Sequence, residues 1–381
     1  MIFQLFILMF YFPVYCLPIA LITKIDLGNV NTFLQVFLLL YSVLLFINKV
    51  KKIVNLQFRL IAIVIIISIY GFVVGNQPLV VKVLAIKFLL LPLLMSSIYL
   101  ISDRNIAKFL EAGMYVQIAN GIAVVLEFIL GPTTLLKLGF VYGTNIRDFT
   151  GIIRFPGLTF TNYELGMFSS IMATLMYIMF RDYKNWTLGI RKKLIYLTFI
   201  SSLICLLGSS SRSGILFLIL SFIIHNIVIK RRYHILALGI SLGTSLVLYG
   251  INTQIFLFSA QSSTSRFELW SSLLGTRSWI YGTGLGTTGS ASNSTFANAF
   301  DRTFVDNQFI GVLIQFGVFG AVFFLAFIYF LMRAISKRDM SLVIAFLIIS
   351  MFIEIYDYTI FMTIFYFYIF YMVSKDSQLR K

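Results

Sequence analysis

The chain has 381 residues, 59% hydrophobic, 17% aromatic and only 12% charged, with a formal net charge of +16 and a mean hydropathy of +0.94. A soluble domain carries about a quarter charged residues, so a cytosolic enzyme, a disordered protein and a disulfide-built secreted module are excluded. A protein spanning a membrane many times remains.

A helix needs about 20 mostly apolar residues to cross the hydrocarbon core. In chain order such runs fall near 1–22, 30–48, 58–75, 83–101, 109–130, 164–180, 194–208, 214–229, 235–258, 308–332, 340–355 and 358–374. This predicts an all-α polytopic protein of about 12 transmembrane helices, with 1–381 as a single integral membrane domain. The first run lacks a basic n-region and a small-x-small cleavage site, and reads as a retained helix. Cys16 and Cys205 lie in apolar runs, where neither a disulfide framework nor a zinc site is supported. Between the last two runs, Glu354-Ile355-Tyr356-Asp357-Tyr358 is where the chain turns, since charges cost less there than at mid-bilayer.

Alternate loops hold twenty of the 30 Lys and Arg residues: those at 49–59, 104–108, 181–193, 230–232, 333–338 and 375–381. Positive residues gather on the cytoplasmic side, which places both termini there and accounts for most of the basic charge without nucleic acid. Of the remaining cations, Lys24, Lys82, Lys87 and Lys137 lie in or beside outer helix ends. The other six are all arginine: Arg147, Arg154, Arg212, Arg266, Arg277 and Arg302. Topology does not explain outer arginines. A guanidinium is a planar, permanently charged fork suited to phosphate or carboxylate; the plainer alternative pairs each with an outer carboxylate.

Two long loops, 131–163 and 259–306, are both expected outside, and long ordered loops usually carry function. In the second, Ser265-Arg266-Phe267-Glu268 fits a capping box. Phe267, Trp270, Leu273 and Leu274 follow at helical spacing, predicting a short amphipathic helix at the lipid interface. Arg266 and Arg277 would share its face if it persists through Gly275, facing either a site or lipid phosphate. The helices expected near 164, 214 and 308 point their positive N-terminal ends outward. Before them stand Thr161-Asn162-Tyr163-Glu164, Ser209-Ser210-Ser211-Arg212 and Asp306-Asn307. These are ordinary caps on one reading and a diphosphate pocket on the other. Gly282-Thr283-Gly284-Leu285-Gly286 lacks a preceding strand and reads as a tight turn or close backbone packing rather than a dinucleotide fingerprint. No Walker A motif is present, and His225 and His234 lie at the cytoplasmic end of a hairpin.

In order and sidedness, five segments resemble the O-antigen ligase and polymerase superfamily, particularly the Wzy-type polysaccharide polymerases. They are Arg154-Phe155-Pro156-Gly157-Leu158-Thr159-Phe160-Thr161-Asn162, Ser211-Arg212-Ser213-Gly214, Arg266-Phe267-Glu268-Leu269-Trp270, Tyr281-Gly282-Thr283-Gly284-Leu285-Gly286, and Asp306-Asn307 before Gly317-Val318-Phe319-Gly320. The resemblance covers about 130–335 and implies a GT-C-like fold in the bacterial inner (plasma) membrane, with the active site on the outer face. It implies transfer of a growing glycan from undecaprenyl diphosphate to the terminal sugar of an incoming undecaprenyl-diphosphate-linked repeat, with no cofactor and no obligatory metal. Arg154, Arg212, Arg266 and Arg277 would hold diphosphate, and Asp306 or Glu164 would serve the acceptor hydroxyl. Asn162, Asn307 and Trp270 would bind substrate. The implied partners are the lipid-linked donor and acceptor, membrane lipids and a chain-length regulator. Ligases of the superfamily typically place a histidine in the large outer loop, near the position of Asp306; no outer histidine occurs here, which favours polymerase over ligase. The alternative of another class is a flippase or secondary transporter, expected to show internal repeats and broken-helix sites near the midplane.

Overall fold

The computed structural model describes residues 2–24, 27–149, 152–181, 188–228, 268–272, 278–292, 297, 305, 307–336 and 339–379. Apart from one two-stranded hairpin, the regular structure among them is helical. Among the described residues, six helices are individually long and apolar enough to cross a membrane, and a bent helix pair at the start makes a seventh if it is counted as one span. The protein is thus an all-α, multi-pass membrane protein. Eleven of the twelve expected runs coincide with helices, several of them shorter than a bilayer. The twelfth, 235–258, lies outside the described residues. The chain folds into two compact units, Met1–Val50 with Ser97–Phe222, and Lys51–Ser96 with Ile223–Lys381.

The first unit opens with α1 (Ile2–Tyr11) and α2 (Leu17–Thr23), which a proline-bearing 3-10 turn (Phe12–Val14) bends by 80°. After α3 (Leu27–Asn48), α6 (Asp103–Lys137) runs 35 residues and breaks at Gly131 (φ 72°), just before Pro132. Strands β1 (Arg147–Phe149) and β2 (Ile152–Arg154) follow, then α7 (Asn162–Arg181), α8 (Lys192–Ser209) and, as far as Phe222, α9 (Arg212–Val228). Helix α7 is central: 78% of its apolar window is buried, against 39% for α6 and α8. Lipid tails are as apolar as leucine, so membrane helices associate through close packing and small residues. That is how α8 meets α6: a Cβ on Gly121 would lie 2.8 Å from Ser201, and one on Gly208 would lie 2.3 Å from Val124.

The second unit contains α4 (Asn55–Val74) and α5 (Leu79–Met95), then α10 (Gln308–Ala334), α11 (Met340–Ser350) and α12 (Thr359–Leu379). The turn expected at 354–358 is a 3-10 turn, Ile355–Asp357. Every residue from Phe361 to Phe370 is buried, so α12 is enclosed on all sides and packs against α5. Helix α10 breaks at Gly317 (φ 63°), which frees carbonyls one turn earlier. The glycine-rich segment fills them: Thr283 N–H donates to Ile314 O (2.7 Å) and Gly284 N–H to Gln315 O (2.8 Å). A Cβ on Gly284 would lie 2.0 Å from Gly75 Cα. These glycines therefore serve close backbone packing, as their sequence context predicted.

Candidate functional site

In the first unit the starts of α7 and α9 lie side by side. Thr161 Oγ1 accepts the Glu164 N–H at 3.3 Å and caps α7. Ser211 Oγ accepts the Gly214 N–H at 3.3 Å and caps α9. A Cβ on Gly166 would sit 2.0 Å from Ser211 Cβ, and one on Gly214 would sit 2.6 Å from Gly166 O. Only glycine lets the two helices approach this closely. Their positive ends are thereby brought together, and each favours an anion.

The hairpin adds positive charge to the same end. Arg147 and Arg154 are register partners across β1 and β2, so their side chains leave the same face of the ribbon. Like charges in that position repel, and an anion between them relieves the repulsion. The Arg147 guanidinium lies 5.1 Å from the Tyr163 ring centroid, against the first turn of α7. Its buried Nε has no hydrogen-bond partner. Arg154 is only 8% exposed, and the next residue ties the hairpin to the α8–α9 junction, Phe155 N–H donating to Gly208 O at 3.0 Å.

The loop between Arg154 and α7 is held from below by α6. Glu127 Oε2 accepts Gly157 N–H and Asn120 Oδ1 accepts Leu158 N–H, both at 2.9 Å. Gly157 (φ 61°) adopts a left-handed backbone there, and a Cβ on it would meet Asn120 Oδ1 at 2.9 Å. Two acceptor oxygens at the start of α7 remain uncommitted: Asn162 Oδ1, whose Nδ2 donates to Ser209 O at 3.4 Å, and Glu164 Oε2. Both are buried.

The second unit carries a different polar cluster. Asn307, rather than Asp306, caps α10. Its Oδ1 accepts Ile310 N–H at 3.1 Å, and its Nδ2 donates to Met351 O at 2.8 Å. The capping geometry needs the residue directly before the first helical turn, and that residue is Asn307. Gln308 Oε1 accepts Tyr356 N–H at 3.4 Å. Burial pushes the Tyr356 phenol above its ordinary range, so it stays uncharged. A Cβ on Gly289 would lie 3.0 Å from Asp357 Oδ1 and 3.2 Å from Glu354 Oε2, and one on Gly311 would lie 2.6 Å from Glu354 Oε1. The Glu354 carboxylate is thus drawn to the first turn of α10 and to Gly289, and the Asp357 carboxylate to Gly289. Gln315 links this cluster to the glycine-rich segment, donating to Thr288 Oγ1 and accepting from Gly286 N–H at 3.3 Å.

Among the residues expected to act, Arg154, Asn162, Glu164 and Arg212 fall together in the first unit. Asn307 and the half-buried Trp270 belong to the second, Trp270 within a helical turn at 268–272. Arg266, Arg277 and Asp306 lie outside the described residues, as does Arg302, so the predicted helix through Gly275 is described only at 268–272. Sequence reasoning did not find the roles of Arg147, Glu127 and Asn120 beside Arg154, nor the approach of Glu354 to α10 and of Asp357 to Gly289. Thr150-Gly151 between β-prone residues was a usable signal for the hairpin pair. No signal marked Glu127 as a loop anchor. Among the described residues, no three His, Cys, Asp or Glu side chains gather as a metal site requires. Protein-family models, curated proteins and solved structures gave no significant match to the chain.

Proposed function

We propose that the protein is a GT-C-like membrane glycosyltransferase, a polysaccharide polymerase acting on undecaprenyl-diphosphate-linked repeats at the outer face of a bacterial inner membrane, with both termini cytoplasmic. The observation that carries the reading is the meeting of two helix N-termini with Arg147, Arg154 and Arg212 in one unit. The bond from the anomeric carbon to the diphosphate oxygen breaks as the acceptor hydroxyl oxygen attacks that carbon. Negative charge grows on the diphosphate, and prepositioned guanidinium and backbone N–H groups stabilise it without reorganising. The acceptor proton passes to a carboxylate. Glu164 Oε2 is uncommitted and stands at the same helix start, and Asp306 is the alternative. The Glu127 and Asn120 anchors hold the Arg154 loop in register, which is what preorganisation demands.

One observation favours a transporter of lipid-linked oligosaccharide instead: α6 and α10 are broken helices, a common feature of transporter sites. Against it, the carbonyls freed at Gly317 accept from Thr283 and Gly284 and are not left for a substrate or coupling ion. The two readings separate in a deletion strain. Loss of a polymerase leaves single lipid-linked repeats on the outer leaflet. Accumulation on the inner leaflet would identify a flippase, and complete polymer retained on its lipid would identify a ligase.

A further inference from the structure

Below the paired helix starts, the first unit holds a groove of about 230 Å³. Thr174 and Tyr177 of α7, Phe199 of α8, and Leu218, Ile219 and Phe222 of α9 line it, and almost all its surface is apolar. Its origin is visible in the packing. Glycines at 166 and 214 hold α7 and α9 in backbone contact near their starts. Further along, the rings of Tyr177 and Phe222 stand edge to face at 5.3 Å and keep the helices apart. Ile219 and Phe222 are exposed at the rim, so the groove opens sideways from the unit.

Thr174 is twelve residues beyond Asn162, about 18 Å along α7 at 1.5 Å per residue. In a hydrocarbon core of about 30 Å, the groove lies near mid-depth, on the same two helices whose starts favour an anion. We propose that it receives the polyisoprenyl chain of the lipid whose diphosphate is bound at those helix starts. The inference rests on the diphosphate reading above and extends it. Arginines and helix ends recognise the phosphates alone, and free pyrophosphate carries the same groups. An apolar groove that begins about 9 Å from the start of α9, at Leu218, and reaches about 18 Å along α7 makes the site selective for a diphosphate bearing a long chain. A five-carbon chain such as dimethylallyl stops before it.

The test uses full-length protein in nanodiscs, with undecaprenyl diphosphate and dimethylallyl diphosphate as probes. Leu218→Trp fills the groove, and Arg154→Ala removes a phosphate contact. Leu218→Trp is expected to weaken undecaprenyl diphosphate about tenfold, the equivalent of roughly two buried methylenes, and to leave dimethylallyl diphosphate unchanged. Arg154→Ala should weaken both. If Leu218→Trp leaves undecaprenyl diphosphate binding intact, the groove assignment falls and the diphosphate reading stands. If the unaltered protein binds neither probe, the diphosphate reading itself fails. A photoreactive residue at the exposed rim position 219 gives a readout independent of the Trp variant's folding. It should crosslink undecaprenyl diphosphate in competition with excess phosphatidylglycerol, and labelling of bulk lipid alone overturns the proposal.

Discussion

Gly166→Ala tests the closeness of the two helix starts, on which the anion site depends. The added methyl would lie 2.0 Å from Ser211 Cβ and 2.4 Å from its Oγ, far inside the ~3.5–4.0 Å optimum for carbon pairs. Helix α9 has to shift by more than about 1 Å to restore contact distance. Such overpacking costs about 1–3 kcal/mol, and the gain in helix propensity over glycine, up to about 1 kcal/mol, offsets part of it. A net loss of about 1–2 kcal/mol follows. Ser211→Gly removes both offending atoms and, because glycine is a tolerable N-cap, costs only a few tenths of a kcal/mol alone. The double variant should therefore recover most of the loss, a coupling of about 1–2 kcal/mol in a double-mutant cycle. Thermal unfolding in detergent, followed by dye labelling of the buried thiols Cys16 and Cys205, measures all four proteins. Activity should track stability and more, since a displacement of about 1 Å at a reacting centre costs about a hundredfold. Additive effects, with no rescue by Ser211→Gly, would refute the close approach of α7 and α9.

Three further predictions follow from the charges and caps. A cysteine at 147 or 302 should react with an impermeant thiol reagent from outside, and one at 184 or 337 should not; the reverse pattern inverts the sidedness. Replacing Arg154, Arg212 or Arg266 with Ala should abolish polymer and with Lys leave little, each lost contact being worth about 3 kcal/mol or a hundredfold in rate; full activity in all three Lys variants, at normal protein levels, would rule out bidentate diphosphate recognition. Glu164→Gln keeps a capping-box residue and Asp306→Asn leaves the Asn307 cap in place, so both proteins should be as stable as the parent, while whichever carboxylate takes the acceptor proton loses about 10²–10⁴ in rate. A normal ladder from both variants would exclude both carboxylates as the proton acceptor.

The spans were legible because an apolar run of bilayer length has few other uses, and the caps at Thr161 and Ser211 because their side chains act within one turn. The glycine-rich segment was legible only as packing; its target, the break at Gly317, lies some thirty residues on and leaves no local sign. The same limit applies to Glu127. A carboxylate within an apolar run looks like an anomaly until its partner, Gly157 N–H, is known. Of the pair Asp306-Asn307 the sequence left open which residue caps, because Asp and Asn cap equally well; the cap is Asn307. Arg147 was recognised as an outer arginine, yet its pairing with Arg154 depends on the hairpin register, which a one-residue slip would reverse.

The decisive measurement is incubation of the purified protein in nanodiscs with a single undecaprenyl-diphosphate-linked repeat. A polymerase yields a ladder of lipid-linked oligomers, with one equivalent of undecaprenyl diphosphate released per repeat added, and the ladder is lost in Arg154→Lys and Arg212→Lys. Unchanged single repeats, from folded protein that binds the substrate, would contradict polymerase activity.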